Sequence, residues 1–144
     1  MRCYLFDIDG TIADATHRLH FIENKPKNWP AFFDACVDDK PIQHVIDLAV
    51  TISRDTEIVY VSGRSDRVKY QTLEWLRMFA LPSGNLYMRK DGDFRPDHMV
   101  KLELLAQIRA DGFDPIMAFD DRNQVVEMWR ANGIPCAQVA PGDF

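Results

Sequence analysis

The chain has 144 residues, 47% of them hydrophobic and 27% charged, which is typical of one globular domain. Its formal net charge of −5 disfavours a protein that grips nucleic acid through many phosphate contacts. Three cysteines without a CxxC spacing exclude a disulfide framework and a four-thiolate zinc site. No apolar run approaches the length of a membrane span and no signal-peptide pattern opens the chain, so we expect no membrane contact and a cytoplasmic location.

Strand-like and helix-like segments alternate along the chain, which predicts an α/β fold. The predicted strands are short apolar runs that end in turn or acidic residues, at 3–8, 57–61, 86–88, 116–119 and 136–139. Helical periodicity separates the later strands, at 68–79, 99–108 and 125–129. Buried strands joined by right-handed crossovers predict a three-layer domain over residues 1–144, built on a central parallel five-stranded sheet.

Almost forty residues separate the first two predicted strands, whereas a parallel crossover needs about a dozen. We therefore expect a small insertion at 13–41, followed by a crossover helix at 42–53. The insertion holds an aromatic cluster that consists of Phe21, Trp29, Phe32 and Phe33. Two arrangements are open: a helical cap over the strand ends, or a helical hairpin packed on the edge of the sheet.

Acidic and small polar residues collect at the ends of three predicted strands. They are, in chain order, Asp7 and Asp9, then Ser62 and Arg64, then Asp120 and Asp121. In open α/β sheets, ligands bind outside the carboxyl ends of the strands. Carboxylates brought together there repel one another, and a bound cation relieves the repulsion. Because all the ligands on offer are oxygens, the sequence predicts Mg²⁺.

Four motifs in this order resemble those of the haloacid dehalogenase superfamily of aspartate-nucleophile phosphatases. They are Asp-Ile-Asp-Gly-Thr at 7–11, Val-Ser-Gly-Arg at 61–64, Lys101, and Asp-Asp at 120–121. The first motif is specific, and the others gain weight from their ordered placement at strand ends. The resemblance covers the whole chain. It implies a three-layer, Rossmann-like haloacid dehalogenase fold with a small helical insertion after the first strand.

The resemblance also implies a mechanism. Asp7 would attack phosphorus and become an aspartyl-phosphate, while Asp9 would protonate the leaving group and later deprotonate the attacking water. Ser62, Lys101 and Mg²⁺ would neutralise the phosphoryl oxygens. The implied Mg²⁺ ligands are Asp7, Asp9 through its backbone carbonyl, Asp120 and Asp121. Which of the last two binds directly is open. A plain turn at Asp9-Gly10 and an acidic helix start at 120–121 are alternatives, but they leave the order of motifs unexplained.

The C-terminal part of the chain, at 120–130 and 136–144, resembles the end of the 3′-phosphatase domain of bacteriophage polynucleotide kinase/phosphatase. This closer resemblance implies substrate-binding roles for Thr11, Arg18, Arg64 and Asp97. Three of these residues have ordinary alternatives as well. Arg18 would be a surface arginine, Arg64 a partner of Asp66, and Asp97 one half of a solvated helix pair with Lys101.

Three functional hypotheses follow. The first is a Mg²⁺-dependent phosphatase that acts on 3′-phosphorylated DNA or RNA ends or nucleotides, and the second is a phosphatase of nucleotides or sugar phosphates. The third is a catalytically weak partner of a separately encoded kinase or ligase. No glycine lies in a GxxxxGK[ST] pattern, so this chain is not itself the kinase. A loop with Arg89, Lys90, Phe94 and Arg95 either contacts a nucleic-acid strand or is simply solvated.

Overall fold

The computed structural model describes residues 1–144. Its strands are β1 (Arg2–Phe6), β2 (Ala13–Asp14), β3 (Lys40–Pro41), β4 (Glu57–Ser65), β5 (Asn85–Arg89), β6 (Asp114–Asp120) and β7 (Cys136–Gln138). Its helices are α1 (His20–Glu23), α2 (Trp29–Asp34), α3 (Gln43–Ser53), α4 (Lys69–Met78), α5 (Asp97–Ala110) and α6 (Asn123–Ala131). The longest helix has 14 residues, and none combines the length and apolarity that crossing a bilayer requires.

Five parallel strands form the central sheet, in the order β5, β4, β1, β6, β7. This confirms the predicted α/β fold and its parallel five-stranded sheet. The first strand lies in the middle, with Phe6 paired to Tyr60 on one side and to Phe119 on the other. Because the chain continues first to one side of β1 and then to the other, the carboxyl end of β1 is the switch point at which such sheets bind ligands.

Two hydrophobic cores lie on opposite faces of the sheet. Alternate residues of β1 divide between them, since Leu5 packs in one core and Phe6 in the other. Helices α5 and α6 cover the first face, and α3 and α4 cover the second. Complete burial of a Leu or Phe side chain contributes about 1.5–3 kcal/mol, so these interfaces hold the three layers together.

The insertion after β1 is closed by its own two-stranded antiparallel pair, in which Ala13 pairs with Pro41 and Asp14 with Lys40. Between these strands lie α1, α2 and two short 3-10 turns. The rings of Trp29, Phe32 and Phe33 pack on one another inside it. The predicted helical insertion is therefore present after the first strand, with part of its aromatic cluster assembled.

The three cysteines are free, as their number and spacing predict, and all three are buried. Burial raises the pKa of the Cys3 thiol to about 11 and that of Cys136 to about 12. Both thiols therefore stay protonated at neutral pH, which makes them unreactive components of the core.

Candidate active site

The ends of three central strands meet at one edge of the sheet. Asp7 follows β1 directly, and its backbone N–H donates to the carbonyl of Phe119 at 3.0 Å. Ser62 lies in β4, two residues beyond the Tyr60 that pairs with Phe6, and Asp120 is the last residue of β6. The register of the sheet thus brings the predicted motifs to a single site.

An acidic cluster with one lysine forms the floor of this site. Carboxylate oxygens of Asp7, Asp120 and Asp121 lie within 4.8 Å of one another, and all three residues are buried. Lys101 Nζ, also buried, donates to Asp7 Oδ1 at 2.8 Å and to Asp120 Oδ2 at 3.0 Å. Three carboxylates against one ammonium leave a formal charge of −2. That excess equals the charge of one divalent cation.

The pKa values of the cluster respond to this excess. Burial raises the pKa of Asp7 well above its usual range, repulsion from Asp120 adds to the effect, and Lys101 opposes it. Burial, followed by repulsion from Asp120, raises the pKa of Asp121 from 3.8 to about 6. The ionised forms of Asp7 and Asp121 are therefore destabilised until a further cation binds beside them.

The residues present fit a Mg²⁺ ion. The donors are all carboxylate oxygens, the set that hard cations prefer. Gly10 has a φ of +80°, and a Cβ there would overlap Oδ2 of Asp121, so glycine leaves room for that carboxylate. Asp120 is already engaged, because its Oδ2 also accepts from Trp129 Nε1 at 3.2 Å and its Oδ1 accepts from the Asp121 N–H at 2.9 Å.

The side chain of Asp9 belongs to a different network, made of hydrogen-bonded ion pairs. Its Oδ1 accepts from Arg18 Nη2 at 2.7 Å and from Arg64 Nε and Nη2 at 2.9 and 2.8 Å. Asp39, at the end of the insertion, accepts from Arg18 Nε and Nη2 and from Arg64 Nη2 at 2.8–2.9 Å. Two aspartates thus balance two arginines, in contrast to the neighbouring cluster. The side chain of Asp9 is outside that cluster, although its backbone carbonyl was a predicted ligand.

Both arginines are fully buried, and their donors are used inside the protein. Arg18 also donates to the carbonyl of Phe32 at 3.3 Å, and Arg64 to Thr72 Oγ1 at 3.1 Å. The alternative of a surface arginine at 18 is therefore wrong. The alternative ion pair between Arg64 and Asp66 is wrong as well, since the salt bridges of Arg64 go to Asp9 and Asp39.

These arginines determine the charge state of Asp9. Burial alone would raise the pKa of Asp9, but Arg64 and Arg18 outweigh it and the pKa is lowered overall. Asp9 is therefore an ionised carboxylate in the free protein, held in place by up to three charge-assisted hydrogen bonds.

Asp39 is the residue of this network that sequence reasoning missed. It lies in the insertion beside the exposed Asp38 and Lys40, a context that resembles a solvated surface. One signal was available: if Arg18 and Arg64 both face Asp9, one cation has no partner. A buried arginine requires a carboxylate, so a further aspartate was needed within reach of both.

Two hydroxyl residues of the motifs also lie at the site. Thr11, predicted to bind substrate, is fully buried and donates to Asp7 Oδ2 at 3.0 Å. Ser62 is buried, and its Oγ accepts from the Arg64 N–H at 3.1 Å, which leaves the hydroxyl proton available for another acceptor. Each oxygen of Asp7 thus accepts its own hydrogen bond, Oδ2 from Thr11 and Oδ1 from Lys101.

Asp97, the other predicted substrate ligand, begins α5 and lies among cations. Its Oδ2 is 3.8 Å from Lys101 Nζ and 4.0 Å from Arg122 Nη1, and its Oδ1 is 3.6 Å from Arg89 Nη2. Oδ1 is buried without a hydrogen bond. It faces Gly63, where a Cβ would overlap it, so the glycine of the second motif makes space for this carboxylate.

The basic loop after β5 is held together by its own arginines. Arg95 pairs with Asp93 and Glu103, while Arg89 donates to the carbonyls of Gly63, Asp93 and Arg95. These guanidinium groups brace the loop, so the solvated-loop interpretation describes it better than a free basic track.

The raised pKa of Asp121 predicts a pH-dependent stability. Between about pH 4 and pH 6 the folded protein holds a proton that the unfolded chain has lost, so without divalent cation Tm should fall as pH rises through this interval. Asp9 acts in the opposite sense but only below its ordinary pKa of 3.8. Tm measured at pH 5 and pH 7.5 should fall less in Asp121→Asn, and also less in the wild-type protein with saturating Mg²⁺. An equal fall of Tm in the wild-type protein and in Asp121→Asn, both without divalent cation, would contradict a raised pKa at Asp121.

Comparison with known proteins shows the family of the chain. The family model described as the polynucleotide kinase PNKP phosphatase domain matches residues 1–144. A protein of Autographa californica nuclear polyhedrosis virus, assigned as a bifunctional polynucleotide kinase/RNA ligase, is 32% identical over 136 residues, which are 93% of this chain and 18% of that protein.

Solved structures share the fold of this chain. A chain in the Pnkp1/Rnl/Hen1 RNA repair complex superposes with a TM-score of 0.83 at 27% identity, over 99% of this chain and 43% of that one. The haloacid dehalogenase-like hydrolase SP0104 of Streptococcus pneumoniae shares the fold, with a TM-score of 0.66 at 13% identity over 94% of this chain and 83% of that one. The chain spans less than half of the length of the virus protein and of the chain in the RNA repair complex. It belongs to the family of polynucleotide kinase phosphatase domains, phosphatases built on the haloacid dehalogenase fold.

Proposed function

We propose that this domain hydrolyses 3′-phosphates at nucleic-acid ends, with Mg²⁺ as its cofactor and Asp7 as its nucleophile. The observation that carries the proposal is the buried cluster of charge −2 at the switch point, with Lys101 bound to Asp7 and a separately held Asp9 beside it. A phosphate monoester brings more negative charge to such a site, so both a lysine and a divalent cation are needed there. The family of the chain points to nucleic-acid ends.

Asp7 is oriented for attack. Thr11 holds Oδ2 and Lys101 holds Oδ1, so the carboxylate presents a fixed geometry. The new bond joins an Asp7 oxygen to phosphorus, and the bond from phosphorus to the 3′-oxygen breaks. Lys101 and the Ser62 hydroxyl bind the phosphoryl oxygens as charge shifts between them. Bound Mg²⁺ would be held by Asp7 and Asp121, with Asp120 supporting them, and it would neutralise phosphoryl charge.

Asp9 handles the protons. As an ionised carboxylate it can take a proton from the water that hydrolyses the aspartyl-phosphate. To act first as the acid that protonates the leaving oxygen, it needs a higher pKa when substrate is bound. A phosphate dianion placed beside it supplies this by repulsion between like charges.

Arg18 and Arg64 act through Asp9 in this proposal. Their donors are occupied by Asp9, Asp39, Thr72 and a backbone carbonyl, and both side chains are fully buried. Neither therefore offers a free fork of donors to a phosphate. Their effect on catalysis is to fix the position and the charge of the general acid and base.

The insertion at 13–41 is part of the site as a small cap. It contributes Arg18 from its first turn and Asp39 from its end, so it reaches the strand ends rather than only the edge of the sheet. We propose that the domain acts together with kinase and ligase activities, in the same chain or in separate chains. The relatives named for such activities support this.

A panel of four substrates tests the function. We expect Mg²⁺-dependent hydrolysis of a 3′-phosphorylated oligonucleotide and of a 3′-nucleotide, and little hydrolysis of a 5′-phosphorylated oligonucleotide or of the sugar phosphate ribose 5-phosphate. DNA and RNA versions of the oligonucleotides identify the preferred polymer. Hydrolysis of the sugar phosphate alone would identify a small-molecule phosphatase. No hydrolysis at all would favour the catalytically weak partner.

Substrate length is expected to matter little. The net charge is −5 and several arginines are consumed internally, so few cations remain to neutralise a phosphate backbone. The logarithm of affinity falls by about 0.7–0.9 per phosphate contact for each unit of log salt, and we expect a slope that indicates about one to three contacts. The measurement is kcat/KM for a 3′-nucleotide and a 3′-phosphorylated ten-mer over a salt series. A steep slope with a large advantage for the ten-mer would reveal an extended basic track.

Replacing Lys101 with alanine should reduce turnover by at least about 100-fold, since the lysine binds charge that develops in the transition state. Lys25→Ala is the matched control, because Lys25 is exposed and forms no salt bridge. Single-turnover rates at saturating Mg²⁺ make the comparison. Similar small losses in both variants would show that Lys101 only neutralises its neighbours.

A further inference from the structure

An exposed aromatic ring lies beside the candidate active site. Phe144 is 65% exposed, and its ring centroid is 5.3 Å from the guanidinium carbon of Arg122. Arg122 Nε also donates to the carbonyl of Phe144 at 2.8 Å. One face of the ring is therefore covered by a cation, and much of the ring remains open to solvent.

The backbone just before the ring is anchored to the site. Gly142 is buried, its carbonyl accepts from the Asn123 N–H at 2.9 Å, and a Cβ at this glycine would overlap the carbonyl of Asp121. The segment that carries Phe144 is thus packed directly on the turn that carries Asp121. Stacking on a ring whose backbone is anchored costs less conformational entropy than stacking on a ring in a mobile segment.

A short series of contacts joins the ring to the reactive groups. Arg122 follows Asp121 in the chain, and its Nη1 lies 4.0 Å from Asp97 Oδ2, which is 3.8 Å from Lys101 Nζ. Lys101 in turn donates to Asp7. A nucleotide whose 3′-phosphate meets Asp7 holds its base one sugar away from that phosphate. The ring lies on Arg122, directly after the Asp121 of the acidic cluster, so it borders the phosphate site on that side.

We propose that Phe144, backed by Arg122, is the stacking surface for the base of the nucleotide that carries the 3′-phosphate. This inference rests on the proposed function and adds the group that recognises the nucleoside. Every base has a π-face, so stacking favours nucleotides over sugar phosphates without selecting a sequence. It also provides affinity that requires no further phosphate contacts, which suits a chain of charge −5.

The test compares a substrate with a base and one without. In the full chain with Mg²⁺, kcat/KM is measured for adenosine 3′-monophosphate and for ribose 3-phosphate. We expect Phe144→Ala to lower the value for the nucleotide by about 5- to 100-fold, mainly through KM. The value for ribose 3-phosphate should stay within twofold, and Phe144→Trp should keep the wild-type preference. Tyr70→Ala, which removes an aromatic ring of similar exposure from α4, is the control and should change neither value.

The outcomes separate this inference from the proposed function. If Phe144→Ala lowers kcat/KM equally for both substrates, the ring acts only by supporting Arg122. The stacking inference is then overturned, while the proposed phosphatase activity is retained. No change with either substrate overturns it too. If the wild-type protein hydrolyses neither a 3′-nucleotide nor a 3′-phosphorylated oligonucleotide, the proposed function fails, and the inference fails with it.

Discussion

Asp7→Asn should abolish phosphatase turnover, with a loss of at least about 10²- to 10⁴-fold, while the protein stays folded. A carboxamide keeps the shape, and its single oxygen can still accept from Lys101 while its NH2 group donates to the Thr11 hydroxyl, but it is a poor nucleophile. Removing one carboxylate also lowers the repulsion in the acidic cluster. Tm without divalent cation should therefore be equal to or higher than that of the wild-type protein, whereas the stabilisation by Mg²⁺ should shrink.

The measurements are kcat on a 3′-phosphorylated oligonucleotide and Tm with and without Mg²⁺. Asp55→Asn serves as the control, since Asp55 is an exposed carboxylate between α3 and β4. Wild-type turnover by Asp7→Asn, in a preparation freed of contaminating phosphatases, would exclude an aspartyl-phosphate on this residue. Lost turnover together with lost folding would instead assign Asp7 a structural role.

Asp39→Ala should destabilise the protein by about 3–5 kcal/mol, because it leaves two buried guanidinium groups with one carboxylate between them. Asp39 also accepts from His17 Nε2 at 2.7 Å, and this contact would be lost as well. Urea unfolding gives the change in free energy. Asp38→Ala, one residue away and exposed, should change the stability by less than about 0.5 kcal/mol.

Catalysis should respond to Asp39 as well. The charge and position of Asp9 depend on Arg18 and Arg64, and those arginines depend on Asp39. We expect Asp39→Asn, measured at a temperature where it is folded, to lose at least about 10-fold in kcat and to show an altered acidic limb in its pH–rate profile. An unchanged profile would mean that Asp9 is positioned without help from the insertion.

The parts of the molecule that sequence predicted well are those with local signals. An apolar strand that ends in Asp-Ile-Asp-Gly-Thr identifies its own carboxyl end, and parallel strands must bring such ends to one edge. The position of β6 and of the Asp120–Asp121 pair followed for the same reason. Lys101 was recognised only through its motif, because nothing in α5 itself marks a lysine as buried.

The parts that sequence did not predict depend on contacts between distant residues. Strand β4 continues to Ser65 rather than ending at 61, because β5 pairs with it beyond an irregularity between Ser62 and Ser65. The burial of Arg18 follows from carboxylates that lie 9 and 21 residues away along the chain. Turn and periodicity patterns describe neighbours in sequence, so they carry no information about such pairings.

The two-stranded closure of the insertion has a consequence for how this family can diversify. The chain leaves the Rossmann-like body at Ala13 and returns at Pro41, its direct partner in the two-stranded pair. The structure of the body is therefore independent of the number of residues between these two positions. Arg18 sits just inside one end of this interval and Asp39 just inside the other, while α1 and the turn before α2 contribute no charge to the buried network. Residues 20–28 are thus open to drift, lengthening or replacement under selection for new substrates. A library randomised there should sample new specificities while the chemistry of Asp9 is inherited intact.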